Sequence, residues 1–270
     1  MACASSRPRL IAAIFVAIFA VAASVPAHAR TNSSAAMPPV RSKAVPLSTS
    51  SKDTPVEAPP TTVVADFNGD GIADIAKVTF PAGNHSGTSA LTVMLGQANG
   101  TFKLTNAKLT LGRNPQSIVT GDFNRDGIPD VIVGDDDGSL LLFLGNGHGG
   151  LIPSGTIARL DSVVSISVAD FNHDGILDLA VSDWRASTVT VLLGTGDGSF
   201  RRDQSFPLRM PGTVPQIVAA DFNGDGIPDL AVVYGDGDDG YTFDVMLGDG
   251  KGNFTRSPKL SRDPNPGCPT

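Results

Sequence analysis

Four nine-residue segments carry oxygen donors at the same places. Asp66–Asp74 reads Asp-Phe-Asn-Gly-Asp-Gly-Ile-Ala-Asp, and Asp122–Asp130 reads Asp-Phe-Asn-Arg-Asp-Gly-Ile-Pro-Asp. Asp170–Asp178 reads Asp-Phe-Asn-His-Asp-Gly-Ile-Leu-Asp, and Asp221–Asp229 reads Asp-Phe-Asn-Gly-Asp-Gly-Ile-Pro-Asp. Calcium takes about six to eight hard oxygen ligands, and alternate residues of a tight loop can turn inward together. The candidate ligands of the first loop are the side chains of Asp66, Asn68, Asp70 and Asp74, with the backbone carbonyl of Ile72. The corresponding sets are Asp122, Asn124, Asp126, Ile128 and Asp130; Asp170, Asn172, Asp174, Ile176 and Asp178; and Asp221, Asn223, Asp225, Ile227 and Asp229. Three carboxylates so close together repel one another without a cation, whereas capping a turn through its own backbone needs only one. Four copies in register therefore predict up to four Ca²⁺. Glycine at the sixth place (Gly71 in the first loop) permits the sharp bend. The fourth place varies (Gly69, Arg125, His173, Gly224), so it is expected to face solvent, with His173 a bystander rather than a ligand.

The pattern resembles the first half of an EF-hand but departs from it at the twelfth place. An EF-hand has a bidentate Glu there; this chain has Lys77, Val133, Val181 and Val232. Those residues fall in apolar runs of strand character, so Asp at the ninth place must stand in for the missing Glu. Phe at the second place and Ile at the seventh are expected to anchor each loop.

The elements that position the loops repeat with them. The loops begin 56, 48 and 51 residues apart, and a second signature follows each: Val93–Phe102, Leu142–Leu151, Val191–Phe200 and Val245–Phe254, built around Leu-Gly and further glycines. An apolar strand enters each loop (Ser117–Thr120, Ile166–Ala169, Gln216–Ala219) and another leaves it (Val131–Val133, Leu179–Val181, Leu230–Val233). A turn then leads to a third (Leu140–Leu144, Val189–Leu193), and the glycine-rich turn to a fourth, more polar one. Short strands at regular spacing with Gly, Asp and Asn turns predict all-β structure with almost no helix. Four-stranded units of this period are the blade pattern of β-propellers, with the polar fourth strand as outer edge.

These paired signatures resemble FG-GAP/VCBS-type repeats, related to those of the integrin α-subunit propeller, over residues 61–270. The resemblance implies a propeller with calcium in the loop between the first and second strands of each blade. The repeats divide at about 61–112, 113–161, 162–212 and 213–270. Integrin-like propellers have seven blades, so four repeats leave an open or incomplete ring as one expectation and a four-blade ring as another.

Residues 1–29 read as a cleaved signal peptide: Arg7 and Arg9 precede the apolar run Leu10–Val25, which is too short to span a membrane, and Ala27-His28-Ala29 is the cleavage site. Residues 30–60, rich in Ser, Pro, Ala and Thr, read as a linker. The mature chain is expected to be secreted, periplasmic or at the cell surface, without a membrane span. Cys268 is then its sole cysteine, which excludes an intramolecular disulfide. Without Arg7 and Arg9 there remain 18 basic and 27 acidic residues, of which 12 acids lie in the loops. That balance opposes nucleic acid as a partner, since phosphates need a basic face.

No nucleophile–His–acid order, zinc spacing or phosphate loop stands out, and the glycine-rich runs open no helix. The expected function is a non-catalytic, calcium-binding adhesion or binding module for an extracellular protein or glycan. Alternatives are a half-propeller that completes a ring by self-association and a non-catalytic fragment of a secreted propeller enzyme. Trp184 suits a sugar-stacking role but is read first as filling space between blades, and the acidic turns Asp135–Asp137 and Asp236–Asp239 as hairpin tips.

Overall fold

Every repeat folds as one antiparallel sheet whose strands follow chain order. A computed structural model describes residues 61–80, 88–112, 114–209, 214–235 and 241–260. The signal peptide, the linker, Arg113, Asp236–Asp239 and Cys268 lie outside the described residues. All described residues belong to one compact unit, Pro59–Thr270. Blade 1 comprises β1 (Thr62–Ala65), β2 (Asp74–Thr79), β3 (Ala90–Gly96) and β4 (Phe102–Thr110). Blade 2 comprises β5 (Pro115–Gly121), β6 (Asp130–Asp135), β7 (Ser139–Gly145) and β8 (Leu151–Arg159). Blade 3 comprises β9 (Val163–Ala169), β10 (Asp178–Asp183), β11 (Thr188–Gly194) and β12 (Phe200–Pro207). Blade 4 comprises β13 (Gln216–Ala220), β14 (Asp229–Gly235), β15 (Tyr241–Gly248) and β16 (Phe254–Arg256). Among the described residues there is no helix.

The strand burial explains why the sheets stack. β6 and β10 are buried along their whole length, as apolar strands covered on both faces must be. The fourth strands β8 and β12 are mostly exposed and polar, which blunts the outer edge. Three apolar cores fill the three spaces between successive blades. Ala76, Leu91 and Val93 meet Ile118, Val131 and Phe143 in the first. Ile132 and Leu142 meet Leu179 and Leu192 in the second, and Val191 and Leu193 meet Ile217 and Leu230 in the third.

Innermost strands lie side by side, β1 by β5, β5 by β9 and β9 by β13. Side-chain hydroxyls tie them: Ser117 Oγ accepts from Ile166 N (3.1 Å), and Ser165 and Ser167 Oγ accept from Ile217 and Ala219 N (3.3 and 2.9 Å). The pairings advance in step, so these strands run the same way and the loops that follow them share one rim. No comparable contact joins β13 back to β1 among the described residues. The fold is an all-β, four-blade open propeller.

Trp184 corrects the space-filling expectation. It lies on the β10–β11 hairpin, 37% exposed, with the Arg185 guanidinium carbon 5.7 Å from its ring centroid. The hairpin tip at Asp135–Asp137 does cap its turn, Asp137 accepting from Ser139 N (2.9 Å). Asp135, however, is only 3% exposed, and its Oδ1 has no hydrogen-bond partner among the described residues. Burial, then the charges of Asp137 and Asp136, push its carboxyl up to about 6. A carboxyl raised in the fold stabilises fully below its ordinary 3.8, and that contribution is lost as pH rises through about 6. Asp135→Asn is therefore expected to melt above the parent at pH 7.5 and no higher than it at pH 4. Scanning calorimetry at both values checks this, and a lower midpoint at pH 7.5 would sink it.

Candidate functional site

The nine-residue loops join first and second strands in all four blades, and each folds through the same side-chain-to-backbone bonds. In loop 1, Asp66 Oδ1 and Asn68 Oδ1 both accept from the single amide of Asp70, at 3.1 and 3.0 Å. Asp66 Oδ2 accepts from Gly71 N and Asp70 Oδ1 from Ile72 N, each at 2.8 Å. The Asn68 side-chain amide donates to Asp70 Oδ2 (2.9 Å). Loops 2, 3 and 4 repeat these bonds, with Asp126, Asp174 and Asp225 supplying the shared amide. The first, third and fifth side chains thus converge at the exposed tip of every loop. The seventh-place carbonyls of Ile72, Ile128, Ile176 and Ile227 accept no hydrogen bond among the described residues.

Asp at the ninth place sits apart from that cluster. Asp74, Asp130, Asp178 and Asp229 are fully buried. Asp74 Oδ2 accepts from Phe67 N (2.9 Å) and Oδ1 from Gly96 N (2.8 Å), so it brackets the start of the loop to the end of β3. The other three do the same with Phe123 and Gly145, Phe171 and Gly194, and Phe222 and Gly248. This bracket is absent from the sequence-level expectation, which gives the residue a ligand role alone. Its signal was the glycine of every Leu-Gly pair. A Cβ at Gly96, Gly145, Gly194 or Gly248 would lie 2.3–2.4 Å from the carbonyl oxygen just before the aspartate, so only glycine lets the strand end approach it.

The apolar anchors are where the pattern places them: Phe67, Phe123 and Phe171 are buried, and the four isoleucines are half-buried. The fourth place is left-handed in all four loops, with φ of 74° at Gly69, 62° at Arg125, 58° at His173 and 83° at Gly224. Glycine adopts it freely, whereas Arg125 and His173 do so at some cost. Both are exposed, as expected.

The donor chemistry fits a hard divalent cation in part. An ionised carboxylate has about four acceptor sites, so amide bonds to Asp66 and Asp70 leave lone pairs free. None of the ion pairs among the described residues involves a loop acid. Burial, with smaller contributions from the loop neighbours Asp126 and Asp122, lifts the Asp130 carboxyl to about 6 against its two amide bonds. Asp178 is lifted to about 6 in the same way, with Asp174 and Asp170 as the charged neighbours. Nevertheless, no three acidic or histidine side chains among the described residues converge closely enough to clasp an ion in this arrangement.

The FG-GAP-like repeat profile matches residues 66–133, 122–181 and 177–232, three overlapping spans that each begin at or near a loop and its following strand. No curated protein is significantly similar to the chain. Among solved structures, one of BBS1N in complex with ARL6DN, soaked with lead, is similar at 12% identity with a TM-score of 0.47. The match covers 74% of this chain and 56% of that one, so the chain spans little more than half of that structure's length.

Proposed function

Since the chain belongs to the FG-GAP-like repeat family, we propose that it is an exported, non-catalytic binding module whose loops each take one Ca²⁺. The observation that carries this reading is the convergence, four times over, of the first, third and fifth side chains beside an unbonded seventh-place carbonyl. Asp66, Asn68, Asp70 and the Ile72 carbonyl would hold the ion in loop 1, with Asp74 beneath them, and the equivalent residues in loops 2 to 4. The bound ion would offset the loop carboxylates and stiffen the rim they share. That rim, with Arg125 and His173 projecting from it, is the surface offered to an extracellular protein or glycan.

His148 and His173 stand exposed on turns of different blades, which supports a binding role over an acid–base one. No helix of the described residues is long and apolar enough to cross a membrane. Isothermal calorimetry on protein stripped with EDTA tests the reading. About four calcium ions per chain are expected, and fewer than two would overturn it.

A further inference from the structure

The three spaces between blades are closed by one repeated contact, and the two ends of the arc carry its separate halves. In each space the phenylalanine of one loop reaches the glycine-rich turn of the next blade. Its carbonyl accepts from the third glycine of that turn: Gly149 N to Phe67 O at 2.9 Å, Gly198 N to Phe123 O at 3.1 Å and Gly252 N to Phe171 O at 3.1 Å. Its ring meets the apolar residue that ends the turn. Phe123 stands edge-on to Phe200 with centroids 5.9 Å apart, Phe171 to Phe254 at 5.3 Å, and Phe67 shares a core with Leu151.

Blade 1 presents the receiving half with nothing described to fill it. Phe102, which corresponds to Leu151, Phe200 and Phe254, is 51% exposed. The amide of Gly100, which corresponds to Gly149, folds back on Gln97 O at 2.8 Å. Val64, Ile75, Met94 and Leu104 pair in register as one apolar row across all four strands. Val131, Leu179 and Leu230, which match Ile75, are fully buried against the preceding blade, whereas Ile75 is half-buried and Val64 is 41% exposed. Blade 4 presents the inserting half. Phe222 is half-buried where Phe67, Phe123 and Phe171 are buried, and its carbonyl accepts no hydrogen bond among the described residues. Ala231, at the centre of that face, is already buried, so the open part is the rim at Phe222.

We propose that two copies of this chain join head to tail, Phe222 of each entering the open turn at Gly100–Phe102 of the other, to close a ring of eight blades. The partner is a second copy because the missing halves are those that this chain repeats three times internally. A head-to-tail contact closes into a ring or grows into a filament. Propellers hold about four to eight blades, so two four-blade arcs make a ring within that range and three do not. The contact itself uses no carboxylate, but Phe222 sits between the candidate ligands Asp221 and Asn223, so the masses are compared in calcium and in EDTA.

Light scattering on the purified full chain tests this, with a two-chain mass expected. Phe102→Glu alters a side chain of the open turn that is already 51% exposed, so its fold is expected to persist, and Phe222→Asp alters the other half. Each is expected to weaken the dimer by roughly 30-fold or more, the effect of losing an interface hot spot, with the circular dichroism of the parent retained. A monomeric parent, a mass that grows with concentration beyond two chains, or a Phe102→Glu dimer of unchanged affinity would each overturn the proposal.

Discussion

Asp178→Ala is expected to lower the melting midpoint by on the order of 10 °C, in EDTA as much as in calcium. The substitution removes the acceptor of two buried amides, Phe171 N at 2.8 Å and Gly194 N at 2.8 Å. A buried amide left without a partner costs about 1–3 kcal/mol, so the pair costs roughly 2–6. For a domain of this size about 1 kcal/mol moves the midpoint by roughly 2–4 °C. Alanine also removes a buried charge, whose cost is visible in a carboxyl pushed up to about 6, chiefly by burial. The amides outweigh that relief because they join two segments, the loop at Phe171 and the end of β11 at Gly194, and neither has another described partner for these groups. Asp178→Asn is expected to fall between the parent and alanine, since the amide oxygen can satisfy one N–H while its NH₂ faces the other. The informative contrast is Asp174→Ala in the same loop. Its bonds are solvent-exposed, so in EDTA the midpoint should move by only a few degrees. If Asp178→Ala melts like Asp174→Ala in EDTA, the bracket contributes little, and the ninth aspartate acts as a ligand only.

That contrast also marks the boundary of what the chain discloses before it is folded. The strands were legible because burial on both faces leaves uninterrupted apolar runs such as Val131–Val133, and the polar outer strands because an edge has to be blunted. The loops were legible because four copies of Asp, Asn and Asp at alternate places fix their own amides locally, within five residues. The bracket was not legible, because a carboxylate is spelled the same whether it faces an ion or an amide. Its second partner lies 22 residues away in blade 1. Trp184 was misplaced for a related reason. A large aromatic between Asp183 and Arg185, just past the apolar run Leu179–Val181, is open to either reading, and only the position of the β10–β11 turn, fixed by Asp183 accepting from Ala186 N at 2.9 Å, puts it outside. Nor do four repeats fix closure of the ring, which depends on what covers the faces of blades 1 and 4 rather than on either blade's own pattern.

Removal of calcium is expected to produce the largest change. At a free calcium concentration about a hundred times the dissociation constant, each filled site adds about 2.7 kcal/mol, so four add roughly 11. By the same conversion the midpoint in EDTA should lie at least about 20 °C below that in calcium. The stripped protein should nonetheless remain folded at 25 °C, unlike small domains that fold only around their metal. The reason is visible in the loops: the oxygens offered to an ion already hold the amides of Asp70, Gly71 and Ile72, and the four buried aspartates hold the loops to their blades. The ion would therefore act on a preformed turn, relieving repulsion among carboxylates that have no cationic partner among the described residues, rather than building the turn. Paired calorimetric melts in calcium and EDTA, with far-UV circular dichroism of the stripped protein at 25 °C, separate these effects. A midpoint shift of less than about 2 °C would mean that the amide network alone satisfies the loops and that the four aspartate clusters are turn caps.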